Sequence, residues 1–74
     1  MLAMNEDRLR LIKLVKHWIE HNDEHGQRFR EEAKSAEKME LKMAAAEMMR
    51  AAEASEKVSE SLSVALKYLI GSYY

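Results

Sequence analysis

From Leu11 onward the apolar positions return in alternating steps of four and three: Leu11, Val15, Trp18, Asn22, His25 and Phe29 form one stripe. Ile12, Ile19 and Ala33 widen it on one side and Leu14 on the other. That rhythm predicts one long amphipathic helix. Asn5 is a candidate N-cap, and Glu6 and Asp7 place acids in the first turn, where the helix dipole favours them. The run Asn22-Asp23-Glu24-His25-Gly26 is the strongest local turn signal, yet Trp18 and Phe29 stay in phase across it. Gly26 is therefore read as an interior glycine, costing about 1 kcal/mol relative to alanine, at a point where another helix comes close.

A second stripe is cleaner: Leu41, Ala44, Met48, Ala51, Ser55, Val58, Leu62, Ala65 and Leu69 repeat as heptads, with Leu66 alongside. Extending the first stripe by sevens from Phe29 reaches Ala36, Met43 and Arg50, two residues out of step with the second. Two residues are roughly 200° of helix, so one straight helix would put the stripes on opposite faces. A reversal cures the mismatch, with Ser35 as candidate N-cap and Glu37 in the new first turn. The reading is one domain over residues 1–74: helix over about 6–34, turn over about 35–39, helix over about 40–70. Gly71 fits a C-terminal stop before a short Ser72–Tyr74 tail.

Folded this way, Trp18 faces Ser55 to Val58, while Asn22 and His25 face Ala51 and Met48; small residues opposite the indole leave room for it. The apolar arc of the first helix is wider than one antiparallel neighbour covers. The expected fold is thus all-α, an antiparallel two-helix hairpin that pairs as a homodimeric four-helix bundle. Tyr68 and Ile70 either join that contact or lie on the surface.

Composition narrows the class. The 74 residues include no proline, two glycines and no cysteine, which suits an all-helical chain and excludes disulfides, thiolate zinc sites and iron–sulfur clusters. Twelve basic against thirteen acidic side chains give a net charge of -1, no footprint for nucleic acid. The run Arg8, Arg10, Lys13 and Lys16 is flanked by Glu6, Asp7 and Glu20 and reads as a solvated face rather than a membrane contact. The start shows no signal-peptide order and no apolar run is of spanning length, so a cytoplasmic protein is the expectation.

The chemistry concentrates in His17, His21 and His25, which fall at i, i+4 and i+8 along one helical ridge. Imidazoles one turn apart reach a common divalent cation at about 2.1 Å. Sets such as His21, His25 and Glu24, or His17, His21 and Glu20, completed by Glu47, Glu53 or a symmetry mate, suit nickel, zinc, cobalt or iron. The spacing is neither the Glu-x-x-His of di-iron bundles nor the His-Glu-x-x-His of metalloproteases. A plainer reading stands beside it: His17 solvated, His21 at the boundary, His25 at a core-facing phase and hydrogen-bonded within the seam. Asn22 is either a partner that orients a liganding imidazole or a buried amide that fixes helix register, and the register reading is preferred. Trp18 and Phe29 read as core anchors rather than a ligand cage. Met39, Met43, Met48 and Met49 read as loose core packing rather than a binding surface.

The run His17-Trp18-Ile19-Glu20-His21-Asn22-Asp23-Glu24-His25, followed by Phe29-Arg30, resembles a small helical-hairpin domain of unknown function from anaerobic bacteria and archaea, whose pattern is His-Trp-Ile-x-His-Asn-x-Glu-His and then Phe-Arg. The match covers residues 9–33 well and the second helix only in its rhythm. The resemblance implies His17, Trp18, His21, Asn22, Glu24 and His25 as signature positions and a link to nickel- or cobalt-handling proteins; Gly26 departs from the alanine expected there. It implies no catalytic activity. Two functions follow: a dimer that binds a divalent transition metal through His21 and His25 with His17 or Glu24, in an accessory or sensing role, or a metal-free interaction module, pairing with itself or another protein. Histidine, the side chain that changes charge nearest neutral pH, would make such a module pH-responsive. An enzyme ranks third, for want of an activated nucleophile or phosphate loop.

Overall fold

The computed structural model describes residues 6–71; Asn5 and the Ser72–Tyr74 tail, assigned above as N-cap and tail, lie outside the described residues. Two helices, α1 (Glu6–Lys38) and α2 (Lys42–Ile70), pack along their whole length as an antiparallel hairpin measuring 59 × 19 × 11 Å. Glu6 and Asp7 occupy the first turn of α1 and Lys38 its last, matching the helix dipole. Gly71 closes α2, its N–H donating to the Lys67 carbonyl at 2.7 Å. At the open end of the hairpin the Arg8 Nε donates to the Leu69 carbonyl at 2.9 Å, setting a cation on the negative end of α2.

The reversal comes later than the sequence suggests. Ser35 caps nothing; it lies inside α1, and its carbonyl accepts the Met39 N–H at 3.1 Å. The chain turns at 39–41, where Leu41 N–H donates to the Ala36 carbonyl and Glu40 N–H to the Glu37 carbonyl, both at 2.9 Å. These are the paired bonds of a Schellman ending, and the residue they force into the left-handed region is Glu40 (φ 65°). A non-glycine residue there costs about 1–2 kcal/mol, which explains why the sequence carries no turn signal at this place. Leu41 then starts α2 with its carbonyl alone, accepting the Ala45 N–H at 2.9 Å, and its side chain adds no cap.

The seam is built from four columns spaced by sevens. On α1 they are Ile12, Ile19, Gly26 and Ala33, and Val15, Asn22, Phe29 and Ala36; on α2 they are Ala45, Ala52, Ser59 and Leu66, and Met48, Ser55, Leu62 and Leu69. All are buried or half-buried except Phe29, which is 37% exposed. One column of each helix agrees with the sequence reading; the other lies one residue further along. Leu11, Trp18 and His25, expected in the seam, are on the surface, as are Ala44, Ala51, Val58 and Ala65.

The reason is closeness. Among the described residues the buried apolar side chains are Ile12, Val15 and the four alanines Ala33, Ala36, Ala45 and Ala52, and no large side chain is fully buried. Helices this close admit only small residues between them. Gly26 marks the tightest approach: a Cβ added there would stand 2.9 Å from the Ser55 Cβ and 3.9 Å from the Ala52 carbonyl oxygen.

Gly26→Ala should therefore destabilise the hairpin by about 1–3 kcal/mol, although alanine is the better helix former by about 1 kcal/mol. Urea denaturation followed by circular dichroism checks this, and adding Ser55→Gly to Gly26→Ala should recover part of the loss. A more stable Gly26→Ala variant would contradict the close approach.

Candidate functional site

Four charged α1 side chains, Lys16, Asp23, Arg30 and Glu37, run along one flank of the seam. Across it, Arg30 forms an ion pair with Glu56 at 2.9 Å, and a guanidinium N–H points at the Met49 sulfur at 3.3 Å. The opposite flank is apolar over much of its length, with Glu32, paired to Arg28 at 3.4 Å, nearer the turn. Leu11, Trp18 and His25 lie there on α1, and Ala44, Ala51, Val58 and Ala65 on α2, the arrangement in which like flanks of an antiparallel pair adjoin. Trp18 is 46% exposed and Val58 48%. Trp18, His21, Asn22, His25, Val58 and Leu62 together line an open groove on this side.

The histidines run up the same side of α1 as a ladder. His17 and His21 stack with ring centroids 5.5 Å apart and planes at 25°. His21 and His25 are closer, 4.7 Å, and nearly perpendicular at 84°. His25 stacks in turn on Phe29 at 6.2 Å and 23°. The helix is unbroken through Asn22–Gly26, so the ridge forms as the i, i+4, i+8 spacing requires. Glu24 stands 4.0 Å from His21 Nδ1, beyond hydrogen-bond reach. All three imidazoles are exposed, including His25, which the spacing had placed toward the core. Among the described residues no three His, Asp or Glu side chains are gathered as a ready-made metal cage.

Asn22 is turned the other way, into the seam. Its Nδ2 donates to the Ser55 carbonyl at 2.6 Å and to Ser59 Oγ at 2.9 Å, and the Ser59 hydroxyl donates onward to Asp23 Oδ1. No buried side-chain nitrogen or oxygen among the described residues lacks a partner. Asn22 thus does not orient an imidazole; it ties α1 to α2 at one register, as the preferred reading held. Its partners are one turn later in α2 than expected, because the later reversal shifts the pairing: Asn22 meets Ser55 and Ser59 rather than Ala51. Ser59 was not singled out from the sequence, although Ser55 and Ser59 stand one turn apart, as a polar pair facing Asn22-Asp23 would.

The molecule so defined is a helical hairpin with one charged and one largely apolar flank. The chain belongs to the family described as domain of unknown function DUF8180, which matches residues 11–69. That description agrees with the resemblance to a small domain of unknown function and assigns no activity, metal or partner. No curated protein and no solved structure matches the chain. No helix among the described residues is long and apolar enough to cross a membrane.

Replacing Asn22 by alanine removes both cross-seam bonds and strips the Ser59 hydroxyl of its donor. The half-buried setting puts the loss at about 1–2 kcal/mol, read as a lower urea midpoint. An unchanged midpoint would show that the register is held elsewhere.

Proposed function

We propose that this chain is a self-associating helical module, two copies of which pack through the apolar flank into a four-helix bundle. The observation that carries the proposal is the segregation of the flanks: charges and a cross-helix ion pair on one side, Leu11, Trp18 and Val58 exposed together on the other.

The hairpin alone buries little. Four alanines, one isoleucine and one valine form the buried apolar core, and no cysteine is present to staple it. At about 25 cal/mol per Å² of apolar surface, so thin a core is a weak source of stability for a chain of this size. An ordinary stable interface takes about 800 Å² from each partner, and this flank runs along a rod 59 Å long.

A second copy is the occupant that fits. The flank carries large residues on α1 and mostly small ones on α2, Ala44, Ala51 and Ala65 beside Val58. It is therefore self-complementary: a two-fold axis lets the indole of each copy pack on the alanine-rich helix of the other, an isologous contact. No charged side chain from α2 stands in the groove that Trp18 borders, since its α2 lining is Val58 and Leu62.

Sedimentation equilibrium tests this at micromolar concentrations. The wild type should have twice the monomer mass, and Trp18→Glu or Val58→Glu should weaken the dimer at least about 100-fold by burying an unpaired charge. Lys16→Glu, on the charged flank, should leave the mass unchanged. A wild type that stays monomeric at 100 µM, roughly a hundred times a micromolar dissociation constant, contradicts the proposal.

A further inference from the structure

We propose that the two copies dock in parallel, turn beside turn and open end beside open end, about a two-fold axis that runs along the rods. The inference rests on the dimer proposed above and names which of its symmetric arrangements forms. Each hairpin is a flat layer of two helices, and two such layers stacked face to face admit two choices of axis between them. With the axis along the helices, the rods point the same way and α1 of each copy lies over α2 of the other. With the axis across the helices, the rods point opposite ways and each helix lies over its own counterpart. Two independent features of the flank choose between these.

The first is the difference in size between the helices. Stepping by sevens, α1 presents Leu11, Trp18, His25 and Glu32 on the flank, and α2 presents Ala44, Ala51, Val58 and Ala65, all of them exposed. An axis along the helices sets large side chains on small ones twice over, so the two layers stay evenly spaced. The crossed axis sets the indole and imidazole of one α1 against the α1 of the other copy and leaves alanine facing alanine. The two α2 helices are then held apart over unfilled space, and an unfilled space lined by methyl groups is destabilising.

The second is the change in polarity along the rod. Toward the open end the flank is apolar, with Leu11 and Trp18 on α1, Val58 and Ala65 on α2, and Leu14 and Tyr68 three residues further along the same faces. Toward the turn it carries charge: Glu32 pairs with Arg28 at 3.4 Å, and Glu47, three residues beyond Ala44, pairs with Arg50 at 3.0 Å. Opposed rods that overlap along their length lay Leu11 and Trp18 of each copy over the Arg28 and Glu32 of the other. That strips water from charged groups and gives them no new partner, a desolvation cost that parallel rods avoid. In the parallel arrangement apolar half meets apolar half, and the two ion pairs of each copy, which carry no net charge, meet those of the other without repulsion.

Spin-label distances test this. The chain has no cysteine, so a single nitroxide can be attached through Lys38→Cys beside the turn or Lys67→Cys beside the open end, both exposed and outside the flank rows. Each labelled full chain is measured by double electron–electron resonance, with circular dichroism confirming its helices and sedimentation its mass. Parallel copies should give a distance below roughly 40 Å at both positions, because only the width of a four-helix bundle separates the labels. Opposed copies would separate both pairs of labels by most of the 59 Å rod. Long distances at both positions from a protein of dimer mass overturn the parallel arrangement and leave the dimer standing. A short distance at one position and a long one at the other, the mark of end-to-end contact, overturns it as well. A monomeric mass overturns the dimer itself and the arrangement with it, so the two failures are told apart.

Discussion

The contact between Gly26 and Ser55 governs this molecule. With no side chain on one helix and a short one on the other, the backbones come so near that a single added methyl would meet the Ser55 Cβ at 2.9 Å. Once the helices are held that close at mid-length, the columns above and below must also be small, and Ala33, Ala36, Ala45 and Ala52 fill them. Larger residues are displaced to the flanks. The outward position of Trp18 is therefore a consequence of the close approach, and the open apolar flank follows from it.

Closeness alone does not choose a register, because small residues slide past one another at little cost. The Asn22 amide supplies the choice by donating to the Ser55 carbonyl and the Ser59 hydroxyl, with Asp23 accepting the hydrogen bond that Ser59 donates. A one-turn slip would strand these groups in a half-buried seam, where each unmade bond costs about 1–3 kcal/mol. Arg30 with Glu56 reinforces the same register from the charged flank, and Arg8 with the Leu69 carbonyl from the open end. The histidine ladder inherits its position from this arrangement: it rides on the face of α1 turned away from the seam but bordering the groove beside it.

Much of this was legible in the residues. Two amphipathic helices, the uninterrupted passage through Gly26, the seam position of Asn22 and the common ridge of His17, His21 and His25 all follow from periodicity. Two features did not. The turn rests on Glu40 in a left-handed conformation, and a strained glutamate leaves no trace of the kind a glycine would. One of the two seam columns on each helix lies one residue later than the pattern predicts, because hydrophobic patterning ranks Trp18, Leu11 and Val58 above Gly26, Ala52 and Ser59. That ranking holds where helices are spaced for large side chains and reverses where they touch. The geometry of the histidine pairs was likewise invisible, since equal spacing says nothing of how exposed rings are turned.

The central claim is that small residues meet in the seam while the indole lies outside it. Nuclear Overhauser contacts within one chain, taken on isotope-mixed samples that separate them from contacts between copies, test it directly. A strong cross-peak between the Gly26 α-protons and the Ser55 β-protons is the predicted result. Cross-peaks placing the Trp18 indole against Ser55 within the same chain, with none from Gly26, would contradict it.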